Sequence, residues 1–242
     1  MPRRPFEFEG GNGGILQDVE GRIVFHQRFY VRYCKRALDV LCSAVGIAAL
    51  SPVFLLAACC VKLSSRGSAF YRQTRIGKDG RQFQILKFRS MVVEAEQRGP
   101  AITVSGDRRV TPVGKLLRRY KVDELPQLWN VLCGEMSLVG PRPELPIYVA
   151  EYTPEQRGVL SVRPGITDTA SLAYRNEEEI LADRDDPEQF YRAQVLPDKL
   201  ARNLAYLQGI SFGGDLRILF ETVVSSFLPS RKTQGKNYSD QV

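Results

Sequence analysis

"VLCSAVGIAALSPVFLLAACCV", residues 40–61, is a run of 22 residues without a single charge. A straight helix that rises about 1.5 Å per residue would cross a hydrocarbon core of about 30 Å at this length. The pair Ser51 and Pro52 interrupts the run near its centre, where proline removes a backbone donor and bends a helix. The alternative interpretation is a buried helix in the core of a soluble domain.

Basic residues flank this apolar run on both sides. Because Lys and Arg prefer the cytoplasmic side of a membrane, two basic flanks favour a segment that enters and leaves on the same face. We therefore predict a re-entrant helical hairpin over residues 33–66 with both ends cytoplasmic. The flanking cations are Arg28, Arg32, Lys35 and Arg36 before the run, and Lys62, Arg66, Arg72, Arg75 and Lys78 after it.

The composition limits the class of protein. The chain has 242 residues, of which 43% are hydrophobic and 25% are charged, and this predicts one globular domain rather than a disordered chain. The net charge of +7 indicates an anionic partner, either nucleic acid, an anionic membrane surface or a phosphorylated substrate. The five cysteines show no CxxC spacing, and His26 is the one histidine. This argues against a disulfide framework, a zinc site and histidine acid–base chemistry.

Short strands and amphipathic helices are predicted after the apolar run, which makes the fold class α+β. Residues 69–90 alternate in part around a Lys-Asp-Gly turn and predict a small β-hairpin. Residues 112–122 pair an apolar helical face with a basic one, a pattern of helices on anionic membranes or of solvated soluble helices. Residues 197–209 and 215–227 predict two further helices, the second capped by Asp215. That last helix suits a protein core as well as a membrane interface.

Two adjacent acids, Asp123 and Glu124, lie in the stretch "KVDELPQLWNVLCGEMSLVGPRPE", residues 121–144. Proline is tolerated in the first turn of a helix, so Pro126 predicts that a short helix begins here with Asp123 near its N-cap. One interpretation is that the acids only cap the helix and complement its dipole. The other is that they form part of a site, because the same position suits a phosphate.

Cations near these acids favour a phosphate site. Prolines on both sides hold Arg142 on a stiff, extended support that suits bidentate binding of phosphate. Lys87 and Arg89 add positive charge. Carboxylates bind Mg²⁺ and guanidinium groups bind phosphate, so the set fits a Mg²⁺-bound diphosphate, and a carboxylate can also act as a nucleophile. The chain has neither a Walker loop nor a GxGxxG motif, which argues against the common nucleotide-binding folds.

Several motifs together resemble a known family. They are "KRALDV", the apolar run, "RIGKDGRQFQILKFRSM", "GKLLRRYKVDELPQLWNVLCGEMSLVGPRPE" and "VRPGIT". Their order and spacing are similar to those of the bacterial sugar transferases in their compact form, the monotopic polyprenyl-phosphate phosphoglycosyl transferases. The resemblance covers residues 33–227, and "DELPQLWNVL" with "MSLVGPRP" is a highly specific combination.

This resemblance implies a membrane enzyme. The family transfers a sugar-1-phosphate from a nucleoside-diphosphate sugar, usually a UDP-sugar, to polyprenyl phosphate and releases UMP. The product starts a glycan such as O-antigen, capsule or exopolysaccharide. The implied fold is a monotopic membrane protein with a re-entrant helical hairpin and amphipathic interfacial helices. The implied location is the bacterial inner membrane with the catalytic domain facing the cytoplasm.

The resemblance also implies roles for individual residues. Asp123 would be the nucleophile of a covalent phosphosugar intermediate, and Glu124 would bind Mg²⁺ or help to activate the acceptor. Both acids are candidate Mg²⁺ ligands. Arg142 would hold phosphate. The other implied residues are Lys87 and Arg89 as further phosphate contacts, Arg163 near the nucleotide, Ser51 and Pro52 at the helix break, and Lys35 and Asp39 at the start of the re-entrant segment.

One departure concerns the donor sugar. Many members that transfer a hexose-1-phosphate continue "PGIT" with glycine, whereas Asp168 stands here. Glucose or galactose specificity therefore does not carry over.

The predicted organisation is an N-terminal arm over residues 1–32, the re-entrant segment to residue 66, a catalytic domain over 67–228 and a polar tail over 229–242. The expected partners are a UDP-sugar, polyprenyl phosphate and membrane lipids, without nucleic acid, and a homodimer is a possible assembly. Two other functions remain open. One is a basic binding module without catalysis at a membrane or nucleic-acid surface, and the other is a soluble nucleotide-sugar enzyme.

Overall fold

Two helices that meet at a sharp bend open the described part of the protein. The computed structural model describes residues 29–95 and 99–227, so most of the predicted arm and the whole predicted tail lie outside the described residues. After a π-helical turn, Tyr30–Cys34, the helix α1 (Lys35–Ala49) is followed by α2 (Ser51–Ser64). Their axes differ by 63°, which confirms the predicted break at the Ser-Pro pair. The Ser51 hydroxyl donates to the Ala48 carbonyl at 2.9 Å.

The bent pair leaves much of its apolar surface exposed. No single helix in the described ranges is long and apolar enough to span a membrane, although α1 and α2 together meet the length and composition required. Only one side of α2 is buried, where Ala57 and Val61 pack near Phe88 and Leu117. The large apolar side chains that remain exposed are Val40, Leu41, Val45, Val53, Leu55, Leu56 and Leu63.

The predicted hairpin is confirmed. Strands β1 (Phe70–Ile76) and β2 (Gln82–Phe88) pair antiparallel, with Phe70 opposite Phe88 and Ile76 opposite Gln82. The connecting 3₁₀ turn holds Asp79 at a φ of 57°, a left-handed conformation that aspartate tolerates better than most residues. The hairpin places Lys87 close to the end of β2.

The acidic stretch forms a turn between two helices. Helix α3 (Pro112–Arg119) has Thr111 as its N-cap, and the Thr111 hydroxyl accepts the Gly114 N–H. Helix α4 spans Gln127–Cys133. Between them Val122–Glu124 forms a 3₁₀ turn. The prediction that Asp123 caps the following helix is wrong, since Pro126 occupies the N-cap and no side chain bonds there.

A parallel pair of short strands carries the Pro-Arg-Pro turn. Strands β3 (Ser137–Val139) and β4 (Gly165–Thr167) align Val139 with Thr167. The chains approach so closely that a Cβ on Gly165 would lie 2.2 Å from the Gly140 nitrogen, so only glycine fits. The remaining helices are α5 (Pro146–Val149), α6 (Thr169–Ala173), α7 (Glu177–Ala182), α8 (Pro187–Phe190), α9 (Leu196–Gln208) and α10 (Phe212–Phe227).

The last helix is tied to the first. Helix α10 begins at Phe212, so Asp215 lies in its first turn and is not the predicted N-cap. The Asp215 carboxylate is buried and instead pairs with Lys35, and it accepts hydrogen bonds from the hydroxyls of Tyr30 at 2.9 Å and Tyr206 at 2.7 Å. One face of α10 remains exposed and apolar, through Phe212, Leu216, Phe220, Val223 and Val224.

The main apolar core includes Tyr148 of α5, Leu181 of α7 and Leu200 of α9, together with Tyr191 and Val195 between α8 and α9. Mixed helices and small sheets confirm the predicted α+β class.

Candidate active site

Glu124 stands at the centre of a cluster of opposite charges. Its carboxylate accepts from the Lys87 ammonium at 2.9 Å and from the Arg142 guanidinium through both terminal nitrogens. The hairpin brings Lys87, the 3₁₀ turn brings Glu124, and the loop after β3 brings Arg142. Three residues that sequence analysis selected therefore form one cluster, although 55 positions separate the first from the last.

Burial and charge set the ionisation of this cluster. Burial by itself would raise the pKa of Glu124, but Arg142 and Lys87 lower that pKa well below its ordinary value. The Glu124 carboxylate in turn raises the pKa of Arg142. Burial lowers the pKa of Lys87, and Glu124 opposes that effect. Glu124 is therefore a fixed negative charge that holds the two cations in place.

Asp123 has the opposite character from its neighbour. Its side chain is buried, and its Oδ1 atom has no hydrogen-bond partner among the residues that the structure describes. Burial and the adjacent Glu124 raise the pKa of Asp123. A buried polar atom without a partner costs free energy and requires an explanation, such as a catalytic role or a bound water or ion. The Oδ1 atom of Asp123 is thus not committed to another described residue.

Asp123 and Glu124 are also candidate ligands of Mg²⁺. The described ranges hold no group of three or more His, Cys, Asp or Glu side chains able to bind a metal. Mg²⁺, however, is usually bound by only one or two carboxylates, with waters and substrate phosphates completing its shell. The unpartnered oxygen of Asp123 beside the Glu124 carboxylate supplies such ligands, so the residues fit a Mg²⁺ ion that arrives with a diphosphate.

Buried groups that sequence analysis missed support the Pro-Arg-Pro turn. Glu144, directly after the turn, accepts from the Tyr191 hydroxyl at 2.7 Å and lies 3.5 Å from the Lys199 ammonium and 3.6 Å from the Arg75 guanidinium. Arg75 also donates to the Pro143 carbonyl at 3.1 Å. Lys199 and Arg75 hold the pKa of Glu144 below its ordinary value in spite of burial. The position of Glu144 next to the motif was the only signal in the sequence.

A second carboxylate also contacts the same turn. Asp168 is completely buried and accepts the backbone N–H of Arg142 at 2.9 Å and that of Ser171. Sequence analysis singled out Asp168 only as a departure from glycine.

The two other predicted phosphate-binding arginines lie outside this cluster. Arg89 is buried and donates to the carbonyls of Ser65 and Arg66, each at 2.8 Å, so it holds the chain after α2. Arg163 donates to the Gly134 carbonyl at 2.9 Å, just after α4. Their contacts within the chain are structural.

The residues expected at the start of the re-entrant segment also make separate contacts. Lys35 pairs with Asp215 of α10. The Asp39 carboxylate accepts the Leu138 N–H of β3 at 3.0 Å. Both contacts attach α1 to the rest of the protein.

The described fold combines a bent apolar helix pair with a buried cluster of acids and cations, and similarity to known transferases identifies the family. The sequence pattern of the family described as bacterial sugar transferase matches residues 30–229. The chain belongs to this family.

Three relatives illustrate the similarity. The UDP-N-acetylgalactosamine-undecaprenyl-phosphate N-acetylgalactosaminephosphotransferase of Aeromonas hydrophila is 38% identical over 79% of this chain and 43% of its own length. The UDP-glucose:undecaprenyl-phosphate glucose-1-phosphate transferase of Caulobacter vibrioides is 40% identical over 79% of this chain and 68% of its own length. The exopolysaccharide production protein PSS of Rhizobium leguminosarum bv. phaseoli is 37% identical over 84% of this chain and 98% of its own length. The chain thus spans less than half the length of the Aeromonas relative.

Proposed function

We propose that this protein is a phosphoglycosyl transferase that moves a sugar-1-phosphate from a UDP-sugar to polyprenyl phosphate and releases UMP. The observation that carries the proposal is the buried Asp123 oxygen without a partner beside the Glu124, Lys87 and Arg142 cluster. Membership of the family supports the same reaction class.

The reaction proceeds in two displacements at phosphorus. A carboxylate oxygen of Asp123 forms a bond to the sugar-bearing phosphorus, and the bond from that phosphorus to the bridging oxygen breaks, so UMP leaves with the electron pair. A phosphate oxygen of the polyprenyl phosphate then attacks the same phosphorus and displaces the Asp123 carboxylate. Covalent catalysis of this kind divides one difficult transfer into two easier steps.

The neighbouring residues bind and orient the phosphates. Arg142 presents a planar guanidinium to phosphate oxygens, and Lys87 adds a point charge. Glu124 keeps these two cations in position and, with Asp123, would hold Mg²⁺ when the donor diphosphate brings the ion. The ion would neutralise charge on the phosphate oxygens.

The sugar donor belongs to the UDP-hexose class. The names of the relatives specify UDP-N-acetylgalactosamine and UDP-glucose, so the first panel of donors includes both, together with UDP-galactose and UDP-N-acetylglucosamine.

The acceptor lipid requires a position at the membrane. The exposed apolar side chains of α1, α2 and α10 form the candidate membrane-facing surface, and Lys35 with Asp215 links the first and last of these helices. In this proposal the bent pair is re-entrant at the cytoplasmic membrane, with the rest of the described protein on the cytoplasmic side. Labelling of Tyr33→Cys and Ser68→Cys in spheroplasts, in a background without native cysteines, tests this topology. Reaction of the two sites from opposite sides would refute it.

Release of UMP tests the enzymatic function. Purified protein in detergent is incubated with the donor panel, polyprenyl phosphate and Mg²⁺, and UMP is quantified. We expect release with at least one donor, and loss of it in Asp123→Asn, while the matched variant Asp183→Asn at an exposed position keeps full turnover. Without acceptor, a donor labelled in its sugar should leave label on the wild-type protein and none on Asp123→Asn. Near-normal turnover of Asp123→Asn would remove Asp123 as nucleophile.

A further inference from the structure

The Pro-Arg-Pro turn offers a single backbone donor, and Asp168 takes it. Pro141 and Pro143 carry no N–H, so Arg142 supplies the only backbone N–H of residues 141–143. The Asp168 Oδ2 atom accepts this N–H at 2.9 Å. Its Oδ1 atom accepts the N–H of Ser171, so each oxygen of the carboxylate has its own donor.

This bond extends the pairing of the two short strands. The Gly140 N–H donates to the Thr167 carbonyl at 3.0 Å, and the Gly165 N–H donates to the Pro141 carbonyl at 3.0 Å. Asp168 follows β4 directly, and its side chain reaches Arg142 beyond the end of the ladder. The Arg142 backbone is thereby held by Asp168, and Glu144 anchors the chain two residues later through Tyr191 and Lys199.

The surroundings of Asp168 explain why the contact is firm. Its side chain has no exposed surface. Hydrogen bonds to a charged acceptor are shorter and about twice as strong as neutral ones, and a buried N–H that loses its acceptor bears the full cost of desolvation. The Arg142 backbone therefore cannot easily shift relative to α6 while the carboxylate is present.

We propose that Asp168 is a positioning residue for Arg142, whose guanidinium it aims at the phosphates of the donor. The proposal rests on the proposed function, in which Arg142 binds phosphate. The same carboxylate also accepts the N–H of Ser171 and so links the turn to α6. Asp168 does not touch substrate in this scheme and acts through Arg142, by the hydrogen bond to its backbone and by the attraction between the Asp168 carboxylate and its guanidinium.

A double-mutant cycle on turnover tests the proposal. The variants are Asp168→Gly, Arg142→Ala and their combination, assayed by UMP release well below the unfolding temperature of each protein. We expect Asp168→Gly to lower kcat/KM about 10- to 100-fold, the equivalent of losing charge-assisted hydrogen bonds. The loss in Asp168→Gly should divide between kcat and KM in the same ratio as the loss in Arg142→Ala. In the Arg142→Ala background the same change should cost less than about threefold, because coupled groups are not additive.

Two further variants make the outcome decisive. Asp186→Gly removes a helix-capping aspartate that accepts the Gln189 N–H at 2.9 Å, away from the site, and should leave kcat/KM unchanged. Asp168→Asn keeps one acceptor oxygen but turns an amide donor towards the second N–H, so its activity should lie between wild type and Asp168→Gly. If Asp168→Gly fails to fold, Asp168→Asn takes its place in the cycle. An equal loss of activity in both Arg142 backgrounds would overturn the proposal.

The affinity for inorganic diphosphate separates this inference from the proposed function. Titration calorimetry on the same four proteins requires no turnover. If Asp168→Gly weakens diphosphate binding, and if this effect disappears in the Arg142→Ala background, the positioning role is supported. This holds even if no donor in the panel releases UMP, because the absence of UMP release would refute only the proposed function. If the wild type releases UMP, but the two substitutions have additive effects on both kcat/KM and diphosphate affinity, only the positioning role is refuted.

Discussion

Glu124→Gln is expected to destabilise the protein strongly. The substitution keeps the size of the side chain but removes the charge that faces Lys87 and Arg142. Removing one partner from a buried ion pair costs about 3–5 kcal/mol. The side chains of Glu124, Lys87 and Arg142 are 12%, 17% and 26% exposed, so solvent relieves part of this cost. We therefore expect a loss of about 3 kcal/mol, at the lower end of that range.

Thermal unfolding in detergent measures this loss. For a chain of this size, about 3 kcal/mol corresponds to a fall in Tm of about 6–12 °C. Glu178→Gln is the matched control, because Glu178 pairs with Arg118 at the same distance of 2.9 Å but is 50% exposed. That substitution should cost less than about 1 kcal/mol.

The effect should also depend on pH. The pKa of Glu124 is lower in the folded protein than its ordinary value of 4.5. Its stabilising contribution is therefore fully present above pH 4.5 and is lost as the pH falls through the lowered value. The difference in Tm between wild type and Glu124→Gln should shrink in the same acidic range. If Glu124→Gln costs no more than Glu178→Gln at neutral pH, the buried charge cluster does not contribute as described.

Three further predictions concern turnover and packing. Burial raises the pKa of Asp123 above 3.8, so the rate of UMP release should decline as the pH is lowered, with a midpoint above pH 3.8. A midpoint at or below pH 3.8 would contradict the role of Asp123 as an ionised nucleophile. Gly114→Ala would bring a Cβ within 1.9 Å of the Ser90 carbonyl oxygen and should lower stability by about 3 kcal/mol. Gly209→Ala is the control, because a Cβ there meets no atom within 4 Å. Equal Tm values for the two variants would refute the clash. Arg36 donates to the carbonyls of Val131 and Leu132 near the end of α4, at 2.6 and 3.0 Å. Arg36→Met should therefore lower the free energy of unfolding by about 1–3 kcal/mol and speed amide hydrogen exchange in α4. Unchanged exchange would show that these bonds contribute nothing.

Local signals in the sequence predicted several elements correctly. The Ser51–Pro52 pair predicted the break between α1 and α2, and the Lys-Asp-Gly turn predicted the hairpin. Both signals act through restrictions on the local backbone, so neighbouring residues are sufficient to recognise them. The prediction of an N-cap at Asp215 was wrong because a helix can begin before an acid, and tertiary contacts then use that acid in another way.

The candidate site shows the same division. The sequence brought Asp123, Glu124, Lys87 and Arg142 together as candidates, through residue chemistry and the resemblance to a family. It could not distinguish Arg89, which holds the chain after α2, from Lys87 two residues earlier, which contacts Glu124. The two residues are two positions apart near the end of one strand, so only the surrounding tertiary structure decides which partners each side chain contacts.

The sequence by itself determined the apolar run and its break, the hairpin, the amphipathic helices and the family. The tertiary structure decided which charges meet. Lys35 pairs with Asp215 across 180 positions, and Asp168 reaches Arg142 across 26. Periodicity and turn residues act over a few positions, whereas a buried charge must find its partner wherever the folded chain places one, because an isolated charge in the interior is too costly.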